Sequence, residues 1–420
     1  MRNIYKLSCA LMFSCLSAYA QQDSAIVAKG ERLLNLGYGV TVKAKESSAA
    51  ISEVTGEEIM KSAATNPLNA LYGKGLGLTV LQNGGTVWES VPTTMIRGLN
   101  STRDNSILVL IDGFERDLSM ITKEEIESVQ ILKDAAATAL YGLRGANGVM
   151  LVTTKTGSKK KIDVSVNYEH HFNMLNRLPK FADGYTYALA MNVNWMDEVL
   201  SKSGSTDNVF VTLSGGGKIV RYFSSVDYLS YKGFIKPENI VDEYSSQLKY
   251  SKLSIRTNVD VDLTKSTLLS FKMSGMLSEH NRPNPLTGDL MSMLYNTPAA
   301  AFPVKTPYGD WGGSNVWTRN PVAEVAAKGY ARSHQRLLFA DMAIRQDLGM
   351  FLKGLSVDAR IAYDNFCEYW DNYGMNYAYA VPNVSNPSSS EDYTLKGEST
   401  AASFSSSLGN QWSRFNLWGR

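Results

Sequence analysis

The sequence predicts a compact α+β domain followed by an antiparallel transmembrane β-barrel, of which about eight strands are present. Three observations indicate this fold class. The chain begins with a secretory signal, residues 51–157 alternate short strands, short helices and glycine-rich turns, and long strands with strict apolar–polar alternation begin at Lys161. No stretch after the signal reaches the roughly 18 continuous apolar residues that a membrane-spanning helix needs. If this protein enters a membrane, it does so as a barrel.

Residues 1–20 have the pattern of a cleaved signal peptide. Arg2 and Lys6 give a charged start, residues 7–16 are apolar, and Ala18-Tyr19-Ala20 offers a cleavage site. Cys15 allows the alternative of a lipoprotein anchor, but a small residue does not stand where it should before a lipidated cysteine. Cleavage after Ala20 is therefore preferred, and the predicted location is the cell outer membrane.

The composition of the exported chain excludes several function classes. Of 42 basic residues, loss of Arg2 and Lys6 leaves 40, against 40 acidic residues. This balance argues against a nucleic-acid partner, which would require a basic excess. One cysteine, Cys367, remains after cleavage, so no intrachain disulfide is expected. No nucleophile with a nearby base is apparent, so the protein is not expected to be an enzyme, and no cofactor or metal is predicted.

The α+β domain is predicted from local signals along residues 51–157. Residues 107–111 form a continuous apolar run that ends at Asp112-Gly113, which is typical of a buried strand closing in a turn. Thr122 and Glu125 have the spacing of a capping box, and the strand around Val129 follows. The polar residues 21–50 lack an apolar period, so they are expected to form an extended, mobile segment.

A helix and a turn are predicted near the end of this domain. Asp134 is expected to cap a helix over residues 135–141, and Gly142 to end it in the left-handed conformation. Gly145-Ala146-Asn147-Gly148 then predicts a tight turn into a strand over residues 149–154.

The barrel is predicted from period-two alternation. It is clearest in residues 162–169, 220–228, 255–263, 269–277, 338–344 and 355–363, and weaker in 209–213 and 393–399. On this pattern alone a soluble sandwich or water-filled barrel is an equal alternative. The strand lengths, the alternation of short turns such as 263–266 with long excursions such as 279–336, and the signal peptide favour an outer-membrane barrel.

The stretch LVLIDGFERDLSMITKEEIESVQILKDAAATALYGLRGANGVMLVTTKTG, residues 108–157, resembles the plug domain of the SusC/RagA family of TonB-linked outer-membrane proteins. Met95-Ile96-Arg97-Gly98 resembles the family's "IRG" strand, and Gly37-Tyr38-Gly39 its "GYG". VTLSGGGKIVRYFSSVDYLSYKGF, RTNVDVDLTK, RNPVAE and LKGLSVDARIAYDNF resemble its first barrel strands, in their usual order. The resemblance covers nearly the whole mature chain.

This resemblance implies a plug lodged in a barrel and displaced or remodelled with energy from the inner-membrane TonB complex. It also implies a SusD-like outer-membrane lipoprotein as partner and an oligosaccharide or peptide as substrate. The plug motif maps onto Arg97, Gly98, Asp112, Gly113, Asp134, Tyr141, Gly142, Arg144, Gly145, Asn147 and Gly148. Asp112, Arg97 and Arg144 are expected to be paired, for structure rather than for substrate contact.

Two departures from the family pattern stand out. Family members often begin with a small immunoglobulin-like domain, for which the residues after Gln21 leave no room, so TonB contact is expected to rest on a short segment alone. That segment lacks the usual β-branched run, and it comprises Glu31, Arg32, Leu33, Leu34, Asn35 and Leu36. A partner could still add it as a strand through main-chain hydrogen bonds. The second departure is length, because plugged transporters use about 22 strands and eight cannot enclose a plug. We therefore expect a truncated product or a fragment of a longer reading frame.

Several side chains allow sharper hypotheses. Tyr369, Trp370 and Tyr373 crowd the end of a predicted strand and could stack on sugar rings, although a membrane-interface girdle is the favoured alternative. His170 and His171 are adjacent on a strand and should point to opposite faces, so they cannot bind one metal together. The pair Asp260 and Asp262 could hold calcium, but lumen-lining polarity is preferred.

Three functions remain open on the sequence. The first is a nutrient transporter that imports oligosaccharides. The second is an outer-membrane receptor or signal transducer, which would need an additional periplasmic domain before the plug. The third is a truncated remnant that does not transport.

Overall fold

A computed structural model describes residues 33–37, 40–43, 48–82, 91–175, 192–236, 247–284, 287–384 and 387–419. The predicted signal peptide lies outside the described residues. Among those that are described, no helix is both long and apolar enough to cross a membrane.

The described chain contains twenty strands, six α-helices and four short 3₁₀ turns. The strands are β1 Leu33–Gly37, β2 Val40–Lys43, β3 Ile51–Thr55, β4 Leu78–Leu81, β5 Thr93–Ile96, β6 Leu108–Ile111, β7 Phe114–Glu115, β8 Ile126–Leu132, β9 Val149–Thr154, β10 Asp163–Met174, β11 Ser203–Gly216, β12 Val220–Lys232, β13 Lys249–Asp262, β14 Thr267–Pro283, β15 Trp311–Gly312, β16 Gly329–Asp347, β17 Ser356–Gly374, β18 Tyr379–Pro382, β19 Tyr393–Lys396 and β20 Ser403–Gly419. The helices are α1 Gly56–Met60, α2 Pro67–Ala70, α3 Ala135–Thr138, α4 Trp195–Val199, α5 Thr287–Asn296 and α6 Pro321–Ala326, and the 3₁₀ turns are Leu118–Met120, Lys123–Glu125, Ala139–Gly145 and Ser390–Asp392.

The α+β domain is built on a mixed five-stranded sheet with the order β3-β8-β9-β6-β7. Strands form where the sequence predicts them. The apolar run 107–111 forms β6, and the turn ending at Gly148 leads into β9. Ile126, Val129 and Ile131 of β8 are fully buried in the core of this domain. We call residues 51–157 the plug.

The predicted capping box at Thr122 and Glu125 is wrong. A 3₁₀ turn does begin after Thr122, but the Thr122 side chain makes no capping hydrogen bond. The Glu125 carboxylate instead lies against Arg256, because an ionised hydrogen bond in a buried site is stronger than a cap. A complete capping box exists at α1, where Thr55 and Glu58 satisfy each other's backbone N–H groups. The spacing T-x-x-E at Thr55 was a signal that could have found it.

The predicted helix over residues 135–141 is shorter than expected. α3 ends at Thr138, and a 3₁₀ turn continues to Gly145 with a kink at Gly142. Gly142 has the positive φ that was predicted, 58°, but helical geometry resumes after it. The Asp134 carboxylate accepts a hydrogen bond from the Ala50 N–H at 2.7 Å, which ties the start of β3 to the end of β8.

Eight long antiparallel strands form the second part of the fold, in the order β10-β11-β12-β13-β14-β16-β17-β20. Along β11 to β17 one face turns polar and charged groups toward the plug, and the other leaves large apolar side chains exposed. Short connections lie at one end, at residues 217–219, 263–266 and 348–355. Long ones lie at the other end, at 175–202, 233–248, 284–328 and 375–402. This is the pattern of a transmembrane barrel wall.

The count of eight is correct, but one strand was predicted wrongly. Residues 393–399 were expected in the barrel, whereas β19 belongs to a separate three-stranded sheet with β15 and β18. The eighth strand is β20, which the sequence pattern hides. A bulge opposite Glu368 and Tyr369 shifts the register, so the exposed apolar positions change parity between Leu408 and Phe415.

The long connections build an apolar cluster of their own at the end of the sheet. It joins α4, α5 and α6 to the inward face of β12. Its buried members are Trp195, Met196, Val199, Leu200, Leu229, Tyr231, Ile235, Leu248, Leu290, Leu294, Phe302, Val322 and Val325. We call this assembly of connecting segments the cap.

Candidate functional site: the interface between plug and sheet

The centre of the interface is Arg116, which follows β7 and reaches out of the plug. Its guanidinium donates to Asp341 of β16 at 2.8 Å and to Asp364 of β17 at 3.1 Å, and it lies over the Phe339 ring at 4.3 Å. All three charged side chains are buried. Burial opposes the charge on the guanidinium, but the two carboxylates outweigh it and raise the pKa of Arg116 above its usual value.

A second contact holds the Asp112-Gly113 turn. The Asp112 carboxylate accepts from the Thr154 hydroxyl at 2.7 Å and pairs with Lys272 of β14 at 2.8 Å. Burial works against ionisation here, yet Lys272 and Arg256 prevail and lower the pKa of Asp112 to about 2. Asp112 itself has a φ of 54°, a left-handed conformation that aspartate tolerates better than most residues. The carboxylate is therefore charged at neutral pH and bound to both domains.

A third contact surrounds the 3₁₀ turn Lys123–Glu125. Glu125 pairs with Arg256 of β13 at 2.8 Å, with both side chains almost fully buried. Lys123 lies 3.6 Å from Glu169 of β10. Burial, reinforced by the nearby Asp227 carboxylate, raises the pKa of Glu124 to about 7. The turn thus presents three ionisable side chains to three different strands.

Uncharged hydrogen bonds continue the interface along β9. The Asn258 amide donates to the Thr154 hydroxyl at 3.2 Å and to the Lys155 carbonyl at 2.7 Å. Apolar contacts accompany these bonds, because Met276, Leu337, Phe339 and Phe366 of the sheet pack against the plug core. The interface is therefore a mixture of ion pairs, hydrogen bonds and a modest apolar patch.

The predicted TonB-contact segment is only partly described. Glu31 and Arg32 lie outside the described residues, while Leu33, Leu34, Asn35 and Leu36 belong to β1, which pairs antiparallel with β2 of the same chain. The Tyr141 hydroxyl donates to the Leu36 carbonyl. Gly37 follows with a φ of 85°, and a Cβ there would overlap the Tyr141 hydroxyl.

This docking differs from the mobile segment that the polar composition predicts. Main-chain pairing with β2 orders the β1 backbone, and the Tyr141 contact joins it to the plug; neither depends on apolar periodicity. Hydrophobic patterning does not reveal such contacts, because β1 takes part in both of them with backbone atoms.

The other plug-motif residues mostly serve turns. Arg144 pairs with Glu115 on the surface, and Asn147 donates to the carbonyls of Asp104 and Ser106 at 3.1 and 3.3 Å. Glycines with positive φ occupy four turn positions, at Gly98, Gly113, Gly142 and Gly148. At Gly145 a Cβ would press on the Tyr141 side chain at 2.9 Å. Arg97 has a φ of 59°, and among the described residues its side chain makes no ion pair, unlike the expectation.

The three aromatic candidates for sugar stacking do not form one surface. Trp370 faces inward, 4.7 Å from the His280 ring and 5.2 Å from the Arg282 guanidinium. Tyr369 and Tyr373 lie on the opposite face, because side chains alternate along β17. There Tyr373 stacks on Tyr330 at 5.5 Å, as neighbours in an outer girdle would.

The histidines and the aspartate pair make separate contacts. His170 contacts Asp207 at 2.6 Å, whereas His171 contacts Glu169 at 3.2 Å. Both Asp262 carboxylate oxygens accept from Arg221, and Asp260 accepts from Ser270. In the described ranges, no three His, Cys, Asp or Glu side chains converge in a way that could hold a metal ion.

Sequence reasoning missed the residues that carry the interface, namely Arg116, Glu124, Glu125, Lys272, Asp341 and Asp364. The sequence did contain a signal for Lys272, Asp341 and Asp364. Each is a charged residue on the polar side of a strand whose other side is apolar. Their partners could not be paired from the sequence, because the contacts join residues such as Arg116 and Asp364 that are 248 positions apart.

Comparison with known proteins agrees with this architecture. Residues 43–149 match the family model described as TonB-dependent Receptor Plug Domain. The chain is 31% identical to TonB-dependent receptor P3 of Formosa agariphila, over 58% of this chain and 24% of that protein. It is 29% identical to TonB-dependent receptor SusC of Bacteroides thetaiotaomicron, over 50% of this chain and 23% of that protein.

A solved structure with the same fold is the RagAB peptide importer in its closed-closed state. The superposition has a TM-score of 0.64 at 18% identity, and it covers 82% of this chain and 43% of the importer chain. The chain thus spans less than a third of the length of the curated relatives it matches, which are receptors rather than enzymes. The plug domain matched over residues 43–149, the eight-stranded wall and these relatives together make the chain similar to the SusC/RagA-type TonB-dependent receptors, a family of outer-membrane proteins.

Proposed function

We propose that this chain supplies the plug and eight wall strands of a TonB-dependent transporter that imports oligosaccharides across the outer membrane. In this proposal residues 51–157 are the plug, residues 161–420 are part of the barrel, and residues 1–20 direct export. The observation that carries it is the polar attachment of plug to wall through Arg116, Asp112 and Glu125.

A polar attachment suits a plug that must move. When an ion pair such as Glu125 and Arg256 separates, water solvates both groups, so much of the lost Coulomb energy is recovered. Separating apolar surfaces has no such compensation and costs about 25 cal/mol for each Å² exposed. The ionic part of this attachment can therefore be separated by an external pull and can form again.

The pull would enter through the N-terminal segment. A TonB partner could pair with the backbone of Glu31 to Leu36 in place of β2, because strand addition depends on main-chain hydrogen bonds. The hydrogen bond from the Tyr141 hydroxyl to the Leu36 carbonyl would transmit the pull to the plug for as long as it holds. On the other side of the membrane, a SusD-like lipoprotein would contact the long connections, and the substrate would enter between them.

Growth of a deletion strain on a panel of glycans and peptides tests the proposal. We expect the strain to lose growth on one class of oligosaccharide as sole carbon source and to keep growing on its monosaccharides. Inactivation of TonB should produce the same defect, and complementation with the gene should repair it. Normal growth of the deletion strain on every glycan would refute oligosaccharide import, and a defect on peptides alone would reassign the substrate.

A further inference from the structure

A polar pocket of about 510 Å³ lies between the cap and the ends of β14 and β17. Its size is in the range of small-molecule sites. Asn284 and Gly374 line it from the sheet, Asp289 and Arg319 from the cap, and Asn376 from the connection after β17. Met375 is the one apolar side chain among the described residues that line it. An apolar ligand would therefore find little to contact here.

The charges in the pocket neutralise one another. Arg319 donates to Asp289 and to Glu324, each at 2.8 Å, and Lys328 lies 3.3 Å from Glu324. Two cations thus face two carboxylates, and no charge is left over for an ionic ligand to balance. Asp289 and Arg319 both line the pocket and are half exposed, at 49% and 44%, so a ligand can reach their polar atoms.

The pocket is held in shape by buried contacts. The Glu324 side chain is only 2% exposed and also accepts from the Tyr377 hydroxyl at 3.0 Å. Asn320 caps α6 through its side-chain oxygen, while its amide donates to the carbonyls of Val304 and Gly312. On the sheet side, the Asn284 amide donates to the Lys328 carbonyl at 2.8 Å. A site fixed in this way loses little entropy when a ligand binds.

We propose that this pocket binds an uncharged, hydroxyl-rich ligand, namely a sugar unit of a neutral oligosaccharide; the proposal rests on the function proposed above and deepens it. A sugar hydroxyl both donates and accepts. The pocket offers acceptors at Asp289 and at the Asn284 side-chain oxygen, and donors at Arg319 and at the Asn376 amide. A peptide would bring charged termini, which would have to displace the ion pairs of Arg319, and apolar side chains, which would find only Met375.

Binding of defined probes to the purified chain in detergent tests the proposal. The probes are maltotriose, cellotriose, xylotriose and mannotriose, with tri-alanine as the peptide, and saturation-transfer NMR measures contact and affinity. We expect at least one trisaccharide to bind, and Asp289→Ala to weaken it roughly tenfold, as loss of a hydrogen bond to a charged group does. Glu279→Ala is the matched control, since Glu279 is 45% exposed and also pairs with an arginine, on the outer face.

Three outcomes would overturn the proposal that this pocket binds a sugar unit: no trisaccharide binds, the Asp289→Ala variant binds as well as the parent, or tri-alanine binds in place of the sugars. Uptake of the same labelled sugars by cells separates this from the transport proposal. If the deletion strain loses uptake but the Asp289→Ala strain keeps it, the transport proposal is supported and the sugar-binding role of the pocket is refuted. If the deletion strain takes up the sugars normally, the proposed function falls whatever the purified chain binds.

Discussion

The inward face of one sheet holds two different neighbours by two different kinds of contact. The plug is attached through the buried ion pairs of Arg116, Asp112 and Glu125 with charged residues on strands, and through an apolar patch on the sheet. The cap is attached through a cluster of thirteen buried side chains, nearly all of them apolar. Adjacent parts of the same face therefore differ in the chemistry that joins them to the rest of the molecule.

This difference indicates which neighbour is built to move. Apolar packing resists separation because the exposed surface cannot be compensated by water. Buried ion pairs add little net stability when both partners can return to water, yet they impose one register while they are made. We infer that the cap stays fixed on the sheet while the plug is released and returns.

Arg116→Met should destabilise the plug more than any other single change at the interface. It leaves Asp341 and Asp364 buried without their cation, which costs about 4 kcal/mol. Urea unfolding in detergent micelles measures the loss, and hydrogen exchange of β8 and β9 localises it to the plug. A loss under 1 kcal/mol would contradict the central place given to this residue.

A triple variant turns the same position into an apolar contact. Arg116→Met combined with Asp341→Leu and Asp364→Leu should recover most of the stability, because no unpaired charge remains. The plug should then be harder to displace, so uptake by cells should fall although the protein is stable. Uptake at the parental rate from a stable triple variant would argue against a plug that must separate from the wall.

Leu294→Ala tests the cap. Leu294 is 2% exposed in the apolar cluster, and truncation should cost about 3 kcal/mol through lost burial and the cavity left behind. The loss should appear as faster proteolysis of the connecting segments, with hydrogen exchange in the plug unchanged. Leu395→Ala is the control, because Leu395 is 57% exposed. Equal loosening of plug and cap would show that the two attachments are not independent.

The pH dependence of plug stability should follow Glu124. Burial raises its pKa to about 7 in the folded chain, so its protonated form is favoured there, whereas the unfolded chain ionises near pH 4.5. The folded state thus binds more protons between these values, and stability falls as pH rises through 7. Between pH 5.5 and pH 8 the loss should be about 2 kcal/mol.

Glu124→Gln is the control for that titration. Glutamine keeps the shape and cannot ionise, so the slope of unfolding free energy against pH should flatten above pH 5.5. An unchanged slope in this variant would assign the titration to another group. At acidic pH the ionisation of Asp112 has the opposite effect on plug stability. Because its pKa falls to about 2, its contribution is present above its usual value of 3.8 and disappears as pH falls toward 2.

The sequence predicts the frame of this molecule better than its contacts. Period-two alternation locates β12, β13 and β14, since the two faces of each strand meet different environments. The buried run before Asp112 and the glycine turn before β9 are equally local signals. β20 is not predicted from the sequence, because its bulge interrupts the alternation of apolar and polar residues.

The sequence predicts the interface between plug and sheet less completely than the strands, for a physical reason. Asp112 could be singled out because a turn follows it, but its partner Lys272 lies on a strand far along the chain. The sequence near Glu125 supports a capping box as well as an ion pair, and only the approach of Arg256 decides between them. Trp370 and Tyr373 are close in sequence and still face opposite sides of the wall.

The smallest effect is expected at Arg144, the one plug-motif arginine that pairs on the surface. Its side chain is 67% exposed and that of its partner Glu115 is 43% exposed, so water competes with the ion pair. Arg144→Gln should change the unfolding free energy by less than about 0.5 kcal/mol and leave uptake unchanged. The measurement is the same urea titration used for Arg116→Met. Since both arginines belong to the plug and both pair with carboxylates, a comparable loss at Arg144 would mean that burial does not set the strength of these contacts, and the contrast between plug and cap would lose its basis.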